Sequence, residues 1–111
     1  MGLLLEQEVH LVKDVETMSD FELKHSPCIE IEELASGRLA KVSIGLKGIV
    51  HPQSDEHLIE WIRVIVGEDL VGEVTFGGLD VPVAEYEIAA EGVIVAQASC
   101  NLHGVWQSIW V

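Results

Sequence analysis

The chain has 111 residues, 49% of them hydrophobic, with 19 acidic residues against 6 basic ones and a formal net charge of −13. That length and apolar content suit one domain with a packed core and exclude a disordered chain. The charge argues against nucleic acid and anionic membranes as partners, because phosphate recognition needs clustered Lys and Arg. An anionic ligand would need local positive charge to offset the global field.

The N-terminal run Met1-Gly2-Leu3-Leu4-Leu5-Glu6 has no basic start and turns acidic too soon for a secretory leader. No apolar run approaches the ~20 residues that span a bilayer. The expectation is a soluble, cytoplasmic protein. In that reducing compartment the two cysteines, Cys28 and Cys100, are not expected to pair. Residues 1–20 carry mixed charge and weak periodicity. They are predicted to form an N-terminal arm or short helix, with 17–20 as a linker, ahead of a single domain over 21–111.

From Pro27 onward the pattern is that of strands. Residues 28–34 largely alternate apolar and acidic, as a half-buried strand does. Ala35-Ser36-Gly37-Arg38 is a turn, and 39–46 resumes the strand with Val42 and Ile44 on one face. Gly45 and Gly48 loosen the chain ahead of His51-Pro52. Residues 58–66 are the longest apolar segment, and their β-branched and aromatic content favours a strand over a helix. Strands over 70–76, 83–90, 93–99 and 105–111 follow, separated by Gly77-Gly78, Pro82 and Glu91-Gly92. About seven short strands with little helical periodicity predict an all-β fold, an immunoglobulin-like antiparallel β-sandwich.

The chemistry-bearing residues cluster in three places. Cys100 and His103 lie three residues apart beside Gly104, a compact chelate if both face one point. His51 and His57 bracket a loop, and His25 precedes Ser26-Pro27. Of five histidines, these four sit in loops or at strand edges beside Pro or Gly, where a rigid sandwich presents ligands. His10 has no such setting. Structural zinc takes four ligands, usually Cys-rich, in a closed tetrahedron. Four His and one Cys are one ligand too many for that. Five protein ligands suit an octahedral metal with one open position, and hence redox chemistry on a small molecule.

Three motifs resemble those of the superoxide reductases, of the neelaredoxin or desulfoferrodoxin iron-centre type. They are Lys24-His25-Ser26-Pro27, then His51-Pro52-Gln53-Ser54-Asp55-Glu56-His57-Leu58-Ile59-Glu60-Trp61-Ile62, then Ser99-Cys100-Asn101-Leu102-His103-Gly104-Val105-Trp106. They occur in the family's order, and the similarity spans about residues 21 to 107. With only two cysteines, the chain has no counterpart of the family's four-cysteine iron domain, so one mononuclear iron is implied. The resemblance implies that His25, His51, His57 and His103 are its equatorial ligands and Cys100 its axial ligand, with the sixth position open. It implies an immunoglobulin-like sandwich and one-electron reduction of superoxide to hydrogen peroxide. Rubredoxin or a similar small carrier is the implied electron donor, and a dimer or tetramer the implied assembly.

Lys24 is expected to attract the anion and organise a proton-donating water, as the family's lysine before the first histidine does. Lys47, four residues before His51, is a weaker candidate for local positive charge. Leu23 departs from the pattern, because many relatives have a glutamate there that closes the sixth position of the oxidised iron. Glu22 is one residue early, and in an extended segment such a shift points the side chain the other way. The oxidised iron is therefore expected to be five-coordinate or to bind water or hydroxide. Trp61 and Trp106 are packing residues first, with a second role as walls of the site. Asn101 and Glu60 are assigned only a supporting place. Pro52 is expected to fix the turn that presents His51. The alternative function is an iron-binding electron carrier or sensor without turnover, but a pure carrier is better served by six protein ligands.

Overall fold

The computed structural model describes residues 9–110. Its elements are β1 (Val9–Leu11), a 3-10 turn (Val15–Thr17), α1 (Asp20–His25), β2 (Pro27–Leu34), β3 (Gly37–Ile44), β4 (Ile59–Val66), β5 (Asp69–Thr75), β6 (Ala84–Ile88), β7 (Ile94–Cys100) and β8 (Gly104–Trp110). Two sheets result, one of five strands in the order β1-β8-β7-β4-β5 and one of three in the order β2-β3-β6. The seven strands expected from alternation are β2 to β8, and every pairing among them is antiparallel.

Period-2 alternation decides which side chains meet between the sheets. Ala40, Val42 and Ile44 of β3 face Ile62, Val64 and Val66 of β4 and Ile94, Ala96 and Ala98 of β7 in one apolar cluster. Ile59, Ile62 and Ile94 are at most 1% exposed, and each such burial is worth about 1.5–3 kcal/mol relative to exposure. Cys100 continues the inward series Ile94, Ala96, Ala98 and joins the same cluster at 2% exposure. The core therefore delivers its thiol to one end of the sandwich.

Two findings depart from expectation. The segment expected to form an arm or short helix, then a linker and extended chain, holds β1, the 3-10 turn and α1. β1 adds to the edge of the larger sheet in parallel with β8, pairing His10 with Trp106, so the sandwich is not purely antiparallel. Residues 20–25 form a helix because Ser19 and Glu22 make a reciprocal capping box. The Ser19 hydroxyl accepts from the Glu22 N–H, and the Glu22 carboxylate accepts from the Ser19 N–H at 2.8 Å. Residues 1–8, part of the predicted arm, lie outside the described residues. Among the described residues no helix is long and apolar enough to cross a membrane.

Candidate metal centre

Three connections converge at the end of the sandwich where Cys100 emerges. Pro27 pairs with Ile44 and Ile59 with Cys100, so the start of β2, the end of β3, the start of β4 and the end of β7 lie together. His25 closes α1 two residues before β2 begins at Pro27. His51 and His57 sit in the β3–β4 connection. That connection leaves β3 through Gly45, whose φ of 117° suits glycine and whose missing Cβ leaves room for the Ile49 carbonyl. Cys100 leads into a three-residue hairpin loop, 101–103, that carries His103 as its last residue and that Gly104 closes at φ 85° opposite Cys100.

One donor atom from each of His25, His51, His57 and Cys100 lies within 4.8 Å of the others. His103 stands beside them, its Nδ1 3.1 Å from His25 Nε2 and 3.7 Å from Cys100 Sγ. The structure thus brings together all five residues that the motifs single out. His25 is wholly buried and His51 is 7% exposed.

The backbone sets the tautomers of two rings. His25 Nδ1–H donates to the Phe21 carbonyl at 2.7 Å, and His51 Nδ1–H to the Pro52 carbonyl at 2.6 Å. Each bond leaves the Nε2 lone pair turned to the cluster, the arrangement metal-ligating histidines adopt. Pro52 thus serves the site through its carbonyl oxygen. The Nε2 atoms of His51 and His57 are buried with no hydrogen-bond partner. An unanswered buried polar atom costs about 1–3 kcal/mol, and a cation would answer both at once.

Burial and neighbouring charge keep these rings neutral. Desolvation is the main cause that lowers His51 to about 4; the hydrogen bond to the Pro52 carbonyl opposes it in part, while the charge of Lys24, and that of His25 or His57 whenever one is protonated, acts in the same direction as burial. Desolvation also lowers His25 and His57, again with Lys24 adding to the effect. Lys24 is therefore close enough for its charge to act on three of the clustered imidazoles. Neutral imidazoles with a thiol are the donor chemistry of a borderline transition metal.

Other candidates are placed differently. Lys47 is an exposed partner of Glu16 at 3.5 Å. Leu23 is buried, at 5% exposure. Trp61 lies under the Arg63 guanidinium, whose carbon is 4.0 Å from the centre of its ring. Trp106 walls the cluster, stacking on His25 and donating Nε1–H to the His103 carbonyl at 3.1 Å. Phe21 and Asn101 carry more of the site than their sequence setting indicates. The Phe21 ring contacts His25 and His103 at 4.5 and 4.9 Å between centroids. Its position four residues before His25, on one helix face, is the local signal for that contact.

The desulfoferrodoxin family model matches residues 17–109. A desulfoferrodoxin homolog of Archaeoglobus fulgidus is 37% identical over 95 residues, which are 86% of this chain and 70% of that protein. The superoxide reductase of Pyrococcus abyssi is 35% identical over 98 residues, 77% of this chain and 84% of the relative. Among solved structures, a variant superoxide reductase (neelaredoxin) from Archaeoglobus fulgidus in the reduced form superposes with a TM-score of 0.73 at 30% identity. The match covers 85% of this chain and 92% of that one.

Proposed function

The chain belongs to the desulfoferrodoxin family, and from that membership we propose that it is a superoxide reductase working at one mononuclear iron. The observation that carries the reading is the pair of buried, unpartnered Nε2 atoms on His51 and His57 within reach of the Cys100 thiol. His25, His51, His57 and His103 would hold the iron through imidazole nitrogens and Cys100 through its thiolate. Iron held by this set supplies the single electron that reduces superoxide.

The chain's own residues do the rest. The carbonyls of Phe21 and Pro52 hold His25 and His51 in the ligating tautomer. In the metal-free chain His103 Nδ1–H donates to the His25 Nε2 lone pair, and metal uptake displaces that proton. Phe21 and Trp106 shield His25 and His103 from water. Lys24 draws the anion against the field of a chain of net charge −13 and orients a proton-bearing water. Each turnover consumes one superoxide, one electron and two protons and yields one hydrogen peroxide, with no dioxygen released. The electron comes from rubredoxin or a similar small one-electron carrier. The assembly is a dimer or tetramer acting in the cytoplasm.

The test is spectroscopic and stoichiometric. The oxidised iron-loaded protein should show a thiolate-to-iron charge-transfer band in the red that disappears on reduction and is absent in Cys100→Ser. Superoxide should be consumed with one peroxide formed per superoxide. A colourless iron-loaded protein, or dioxygen among the products, would overturn the proposal.

A further inference from the structure

His10 belongs to none of the three motifs, yet its ring stacks on Trp106, 4.4 Å between centroids and 25° between planes. Trp106 in turn stacks on His25 at 5.2 Å and 22°. The same indole donates to the carbonyl of His103. One side chain therefore touches two of the proposed ligands and is stacked on its other side by His10. The Trp106 side chain is 5% exposed, and open grooves lie on the flank where His10 covers it, lined by His10, Glu22 and Trp106. Without the His10 ring that flank of the indole would be wet and unrestrained.

His10 reaches this place only through β1. That strand is three residues long and held at the sheet edge by its pairing with β8 and by the Val12 N–H donating to the Gln107 carbonyl at 2.9 Å. A short edge strand of this kind opens readily on its own. Its docking sets the His10 ring against Trp106, because the two are register partners.

We propose that His10 is a positioning residue that couples the N-terminal strand to the metal centre. By stacking on Trp106 it holds the His25 ring and the Cys100–His103 turn in their metal-binding arrangement. The inference rests on the reading of His25 and His103 as ligands. Coupling between two binding events is reciprocal. Whatever strand docking adds to metal retention, a bound metal adds to the protection of the strand.

The test uses the full chain loaded with cobalt(II) as a spectroscopic probe, comparing wild type with His10→Leu and His10→Phe. Partners that orient ligands typically change metal affinity by about 10–100-fold. In His10→Leu, release of cobalt to a chelator should be faster by about 10-fold or more, with a shifted cobalt spectrum. His10→Phe, which keeps a stacking ring, should restore both. Cobalt should also slow amide exchange at Leu11 and Val12 in the wild type and His10→Phe, and less in His10→Leu. Normal cobalt uptake with the same release rate and spectrum in all three chains would overturn the role of His10 alone. A wild-type chain that takes up no cobalt would overturn the ligand assignment, and this role with it.

Discussion

Asn101 and Leu58 hold each other by two hydrogen bonds. The Leu58 N–H donates to Asn101 Oδ1 at 3.0 Å, and the Asn101 N–H donates to the Leu58 carbonyl at 3.1 Å. Asn101 Nδ2 also donates to the Glu56 carbonyl at 3.0 Å. These bonds bracket His57 and tie its loop to the hairpin that carries Cys100 and His103. Asn101→Ala removes the two side-chain bonds, worth about 1 kcal/mol each. The expected loss is about 2 kcal/mol of stability in urea unfolding, with faster amide exchange centred on His57 and Leu58. An unchanged urea midpoint would show that the bracket contributes nothing.

Glu22 is committed to the capping box that starts α1, so it is not available to close the sixth position of an oxidised iron. Glu22→Ala should leave the spectrum of the oxidised iron-loaded protein unchanged while lowering stability by about 1 kcal/mol, the usual cost of a lost cap. A changed oxidised spectrum would show that the carboxylate leaves the cap and ligates.

Lys24 is half-buried on α1, with its ammonium 5.9 Å from the Phe21 ring. Lys24→Ala should slow the second-order reaction with superoxide by about 10-fold or more at low salt, less as ionic strength rises, with iron content unchanged. Stopped-flow or pulse-radiolysis rates at two salt concentrations decide it. Equal rates for variant and wild type would leave Lys24 as a solvated charge.

The pH dependence of the metal-free chain follows from the imidazoles. Burial lowers His51 to about 4 and lowers His25 and His57, whereas an unfolded histidine has its ordinary value of 6.5. Below 6.5 the unfolded chain binds more protons than the folded one. Stability is therefore complete above pH 6.5 and falls as the pH drops toward 4. His51 alone accounts for up to about 3 kcal/mol of that loss. The melting temperature of the metal-free protein should fall between pH 7 and 5, and a flat profile would contradict the burial of neutral rings. Metal should be lost over the same range, because protons compete for the same Nε2 lone pairs.

The seven strands from β2 to β8 are legible in the sequence, because period-2 alternation and Gly- or Pro-marked turns are local signals. The identity of the clustered residues is legible there too, since the His and Cys motifs carry their spacing with them. That Cys100 faces inward follows from counting along β7 from Ile94. The six residues of α1 are too few for a 3.6-residue period to register. The Ser19-to-Glu22 capping-box spacing is the one local sign of that helix. Tertiary structure alone decided the rest. A three-residue strand such as β1 has no pattern of its own and forms only where the β8 edge offers hydrogen bonds. The roles of His10, Asn101 and the Phe21 carbonyl depend on contacts whose partners are chosen by the fold. A side chain's sequence neighbours set its chemistry, whereas the groups that hold its ring and fix its proton come from strands that meet only after folding.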